Sequence, residues 1–93
     1  MPIRFEWDRA KADANTEKHG ITFDEASTAF GDTLSLTISD PADSHGEERF
    51  VLIGQTFRGN LVVVVHLERD DGSIRIISAR SATPAERRDY EEA

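Results

Sequence analysis

The sequence predicts an α+β domain with a mainly antiparallel sheet and elements in the order β-α-α-β-β-β-β-α. Three observations carry that reading. Residues 8–31 show helical spacing and capping signals, the apolar period changes to two from Thr33, and turns of hairpin length separate the later strands.

Ile3 to Trp7 alternates apolar and polar side chains, as a short half-buried strand does. Asp8 can cap the helix that follows, and Gly20 can end it in the left-handed conformation. Between them only Ala10, Ala12 and Ala14 offer an apolar face. Thr22 and Glu25 read as a capping box, in which Thr22 accepts from the amide three residues on while the Glu25 carboxylate reaches back. Phe23, Ala26, Ala29 and Phe30 then recur at helical spacing, and this second helix should end near Gly31.

Leu34, Leu36 and Ile38 alternate with Thr and Ser until Asp40-Pro41 breaks the strand and opens a polar loop through Gly46. Glu48 to Phe57 is the next strand. Gly59-Asn60 reads as a two-residue hairpin turn, and Leu61 to Leu67 beyond it is apolar on both faces through Val65, as in a central strand covered on two sides. Asp71-Gly72 makes a further tight turn into Ile74 to Arg80. Thr83, Pro84 and Glu86 supply the cap, first-turn proline and capping-box carboxylate of a final helix. Strict alternation in Ile74 to Arg80 would put Arg75 and Arg80 on opposite faces unless a bulge intervenes. They should then have different jobs, one paired within the fold and one open to an anion.

A chain of 93 residues is expected to form one domain, residues 1–93, around a single modest core. Leu, Ile, Val and Phe make up 22 of those residues, enough to fold despite the charge. Without cysteine there is no disulfide framework, thiolate metal cluster or cysteine nucleophile, which suits a reducing cytoplasm. The N-terminus has no apolar signal region and the longest apolar run is Leu61 to Val65, so neither secretion nor a membrane partner is expected. The 18 Asp and Glu outweigh 11 Lys and Arg, a net charge of −7 that by itself opposes nucleic acid. Residues 1–46 carry 4 basic and 9 acidic groups, however, and residues 47–93 carry 7 and 9. Most of the excess is in the first half.

The three histidines, His19, His45 and His66, share no ligand spacing, and neither a metal nor another cofactor is expected. No Gly-rich phosphate loop or nucleophile elbow is present either. What remains is a set of polar groups at element ends. Lys18 and His19 close the first helix, where they could simply complement its dipole. Glu47, Glu48 and Arg49 head a strand, where the arginine could be a surface ion pair. Arg75 and Arg80 lie in the last strand, and Arg87, Arg88 and Tyr90 in the last helix, where a solvated face and a packing role are the plainer accounts.

Taken together, Phe5-Glu6-Trp7-Asp8, the run from Asn15 through Lys18-His19-Gly20 to Phe23-Asp24-Glu25-Ala26, Phe30-Gly31-Asp32, Glu47-Glu48-Arg49, Ile74 to Arg80 and Glu86 to Glu91 resemble the BrnT toxins of bacterial type II toxin-antitoxin systems. The resemblance spans almost the whole chain. It implies a RelE-like fold, a small curved sheet with helices on one side, and a ribonuclease that cleaves mRNA and halts translation. It also implies a BrnA-like ribbon-helix-helix antitoxin, in a heterotetramer of two toxins and two antitoxins that meets DNA only through the antitoxin. RNA carries its own nucleophile in the 2′-hydroxyl, so such an enzyme needs a base, an acid and cations, but no metal. Arg49 and Arg80 are the expected phosphate-stabilising groups; Lys18, His19 or Glu48 would move protons, a histidine titrating most usefully near about pH 6.5. Arg75, Arg87 and Tyr90 are expected to bind substrate. The alternative is an interaction protein of the same fold, with little nuclease activity, that binds its antitoxin and tunes repression. Convergence of Arg49, Arg80 and His19 on one phosphate would favour the enzyme, and their dispersal the interaction protein.

Overall fold

The computed structural model describes residues 3–40 and 48–93. In chain order the elements are β1 (Phe5–Glu6), α1 (Arg9–His19), α2 (Phe23–Thr28), a 3-10 turn (Ala29–Gly31), β2 (Leu36–Ser39), β3 (Arg49–Gln55), β4 (Leu61–Glu68), β5 (Ile74–Ser81) and α3 (Pro84–Glu92). The five strands form one mixed sheet in the order β1-β5-β4-β3-β2, with β1 parallel to β5 and every other pair antiparallel. The expected class and element order are those observed. His45 and Glu47 lie outside the described residues.

Strand alternation divides the sheet into two faces. Leu52, Val62, Val64, Ile76 and Ala79 point to the first, where Ile21, Phe23, Ala26 and Ala29 from the α1–α2 segment and the 3-10 turn close the main core. Ile53, Leu61 and Val63 point to the second and are met by Ala82 and by Tyr90 of α3. The third helix therefore lies on the opposite side of the sheet from the other two, which departs from helices on one side only. The reason is β4, whose residues Leu61 to Val64 are all buried, so that both faces need a cover.

α1 has almost no apolar face, and its one buried residue is Asn15. β1 pairs only with Ile74 and Arg75, which leaves the edge of β5 open beyond them. There Asn15 substitutes for a strand. Its Nδ2 donates to the Ala79 carbonyl at 2.8 Å, and the Ala79 amide donates back to Oδ1 at 3.1 Å. The Thr22 cap forms as expected, but the Glu25 carboxylate does not reach back to it. Instead Glu25 accepts from Thr56 Oγ1 at 2.9 Å and Asn60 Nδ2 at 2.8 Å, fixing α2 to the β3–β4 turn.

That turn holds three residues between Thr56 and Asn60, rather than the two expected from Gly59-Asn60. The Gly59 amide donates to the Thr56 carbonyl, and the Thr56 amide to the Asn60 carbonyl. Arg69 to Ser73 repeats the pattern at the β4–β5 turn. Both need a left-handed residue at the fourth place, and Gly59 (φ 84°) and Gly72 (φ 87°) supply it.

Candidate functional site

Three of the rows that cross the strands on the second face carry the candidate residues and their neighbours. Leu36, Ile53, Val63 and Arg80 are in register in the first, the row nearest α3. Ile38, Val51, Val65 and Ser78 form the second. Val51, Val65 and Ser78 are only partly buried, and Ile38 is 61% exposed. Arg49, Leu67, Arg75 and Glu6 form the third. Arg49 and Arg75 thus flank Leu67 at two strand spacings, about 10 Å between Cα atoms. Leu67 is only 7% exposed although no helix covers it, as expected where arginine stems lie along an apolar neighbour.

A bulge creates this arrangement. Val65 pairs with Ser78 and His66 with Ile76, so Ile77 is an extra residue in β5. Alternation is broken once, and Arg75 and Arg80 fall on the same face rather than on opposite ones. Arg75 Nη1 lies 3.3 Å from Glu6 Oε2, and Arg69 Nε lies 2.8 Å from Glu6 Oε1. One carboxylate therefore serves two guanidinium groups at the end of a row that also holds Arg49. The guanidinium groups of Arg49, Arg69 and Arg75 thus stand with Glu6 at this end of the face, on a protein whose net charge is −7. Neither Glu6 nor Arg69 was expected from the sequence, because a two-residue strand and its parallel partner leave no local signal.

The other expected groups are dispersed. Arg80 is two rows away, about 13 Å along the strands, and is held by Glu86 through two 2.7 Å hydrogen bonds. That guanidinium holds the Glu86 carboxyl at about 2, well below the usual carboxylate range. Tyr90 donates to Asp32 Oδ2 at 2.6 Å, and the hydrogen bond to this carboxylate, with burial, raises the phenol. Burial pushes the Asp32 carboxyl up, but Tyr90 and the amides of Gln55 and Leu34 outweigh it and hold the group low. Arg87 is exposed on α3. Lys18 and His19 are exposed at the end of α1, on the first-face side of the sheet. Glu48 precedes Arg49, and its carboxylate accepts from Ser39 Oγ at 3.0 Å. Arg49, Arg80 and His19 do not share one site; Arg49, Arg75 and Glu6 share a row.

His66 is fully buried between Phe30 and Phe50, with Nδ1 3.3 Å from the Val64 carbonyl and Nε2 3.3 Å from Glu68. It is a core histidine. Among the described residues, no group of three or more His, Asp or Glu is placed to share a metal ion, and no helix is long and apolar enough to cross a membrane.

The sequence profile of the BrnT ribonuclease toxins of type II toxin-antitoxin systems matches residues 7–86. This chain belongs to that family. The crystal structure of the Brucella abortus ribonuclease toxin BrnT superposes with a TM-score of 0.64 over 88% of this chain and 99% of that one, at 21% identity. At that identity the superposition speaks for the BrnT fold alone. Comparison with curated proteins gives no match. Membership of a type II family implies an antitoxin partner for the chain.

Proposed function

We propose that this chain is itself an endoribonuclease, and that the uncovered part of the second sheet face holds the RNA. The observation that carries this reading is the row on which Arg49 and Arg75 stand about two strand spacings apart, with Glu6 against Arg75. Planar guanidinium groups grip phosphate through paired hydrogen bonds and stay charged throughout, as transition-state stabilisation requires. Glu6 is the carboxylate on that row and serves as base. It takes the 2′-hydroxyl proton as the 2′-oxygen bonds to phosphorus, and the bond to the 5′-oxygen breaks. The products are a 2′,3′-cyclic phosphate and a 5′-hydroxyl, the leaving oxygen having taken a proton from an acid off the row. Glu48, next in sequence to Arg49, is hydrogen-bonded to Ser39, which alternation puts on the other face, so it does not supply this proton. Metal plays no part in this scheme because arginine supplies the cationic stabilisation.

The partner in this reading is a BrnA-like antitoxin, in a two-plus-two assembly. A second reading, in which the chain chiefly binds that antitoxin, is favoured by two observations: Arg49, Arg80 and His19 are dispersed, and the middle row is apolar but for Ser78, with Ile38 exposed. Inducible expression with and without the antitoxin separates the two. The ribonuclease reading expects growth arrest without antitoxin, with new transcript ends carrying cyclic phosphate. Normal growth with intact transcripts would contradict it.

A further inference from the structure

Phe57 is 71% exposed at the tip of the β3–β4 turn, yet the turn beneath it is tied to α2 by hydrogen bonds. Its amide donates to Thr28 Oγ1 at 3.0 Å, and Thr56 and Asn60 on either side of the turn donate to buried Glu25. The guanidinium of Arg58 stacks 5.5 Å from the centre of the Phe57 ring. The ring and Arg58 form one wall of a groove whose other wall is Gly20, Thr22 and Asp24. Lys18 and His19 immediately precede Gly20 and are exposed. Asp24 is the exposed carboxylate on the groove, since Glu25 is buried and engaged by the turn.

The exposed ring buries little on folding, and the hydrogen-bonded turn presents it in one place beside the groove. Flat aromatic rings flanked by cations bind unpaired bases through stacking while the cations meet the phosphates, and an acceptor such as Asp24 suits a base amino group. We infer that the groove between the β3–β4 turn and the α1–α2 junction is a stacking subsite for an unpaired RNA base, with Phe57 as its platform and Arg58, Lys18 and His19 toward the backbone. The inference rests on the ribonuclease reading and adds to it a second contact. β3 separates the turn from the arginine row by about 25 Å. Only a strand of several nucleotides reaches both, so the subsite governs affinity for longer RNA rather than the cleavage step. This also gives Lys18 and His19 a place, since they lie far from the row.

The test uses the purified chain, short unstructured oligouridine and a dinucleotide. Phe57→Ala should raise KM for the oligonucleotide about tenfold, the loss of one stacked base, with kcat unchanged. For the dinucleotide it should match the wild type. Phe57→Trp should restore KM, and its emission should be quenched by oligouridine beyond the change from Trp7, the single native tryptophan. If the wild type cleaves the oligonucleotide and Phe57→Ala cleaves it with the same KM, the subsite is wrong while the ribonuclease reading stands. If the wild type neither binds nor cleaves oligouridine, both fail together. Emission of Phe57→Trp that responds to antitoxin but not to oligouridine would make the groove a protein contact and overturn the inference.

Discussion

The Asn15 amide reads the backbone of Ala79 from both sides, donating to its carbonyl and accepting from its amide, and also donates to the Ile21 carbonyl at 3.2 Å. Truncation would leave these buried backbone groups without partners, which costs about 1–3 kcal/mol for an unsatisfied group. Asn15→Ala should therefore lower the urea midpoint by an amount equivalent to about 2–3 kcal/mol, far more than Ala14→Ser on the exposed side of the same helix. Equal midpoints would refute the strand-substitute role. Asn15 illustrates what a single sequence conceals. A polar residue in a polar helix gives no local signal, and its purpose depends on a strand edge 64 residues away. Local chemistry was legible by contrast, as at Asp8, Gly20 and Thr83, because cap and turn interactions stay within a few residues. Glu25 misled for the same reason in reverse: its spacing fits a capping box, but the hairpin offered it two donors.

α3 buries none of its own residues and is held by two polar attachments, Glu86 to Arg80 and Tyr90 to Asp32, with the Tyr90 ring against Ile53, Leu61 and Val63. Glu86 has a folded value of about 2 against an ordinary carboxylate near 4.5. Its stabilising contribution is therefore complete above pH 4.5 and is lost as pH falls toward 2. Because Arg80 is 42% exposed, solvent screening limits the pair to about 1 kcal/mol. Glu86→Gln should destabilise the protein by about that amount at pH 7 and by nothing near pH 2, as read by denaturant titration at both pH values. Tyr90→Phe should cost about 1–2 kcal/mol, for a hydrogen bond to an ionised group. Its phenol is raised, so this bond persists below about pH 10 and is lost as pH climbs through the raised value. A helix as firmly attached in Tyr90→Phe as in the wild type, by hydrogen exchange of α3, would contradict that assignment. The bulge at Ile77 was the element-level feature hidden in the sequence. Ile74 to Arg80 carries no glycine or proline to announce it, and so alternation placed the two arginines on opposite faces.

For the whole molecule, net charge and local charge point in different directions. A net −7 makes weak general attraction to RNA, while Arg69 and Arg75 pair with Glu6 at one end of one face, on the row that also carries Arg49. Each phosphate neutralised on a single strand contributes a slope of about −0.7 to the dependence of log affinity on log salt. Two to three arginine contacts predict a total slope of about −2, reduced by about 0.7 in Arg49→Ala, as measured by RNA binding across a salt series. A slope near zero would mean that the strip does not meet phosphate. Fold class, element order and family were legible because they rest on periodicity and on motifs spread along the chain. The grouping of site residues was not, since it depends on register: Glu6 and Arg75 meet only because a parallel strand lies beside the start of β5. The most direct measurement is single-turnover cleavage of an unstructured RNA by the Arg49→Ala/Arg75→Ala double variant at matched folded fraction. The account predicts a fall of at least about a hundredfold, the loss of preorganised charge stabilisation. Cleavage at the wild-type rate would place the chemistry elsewhere on the molecule.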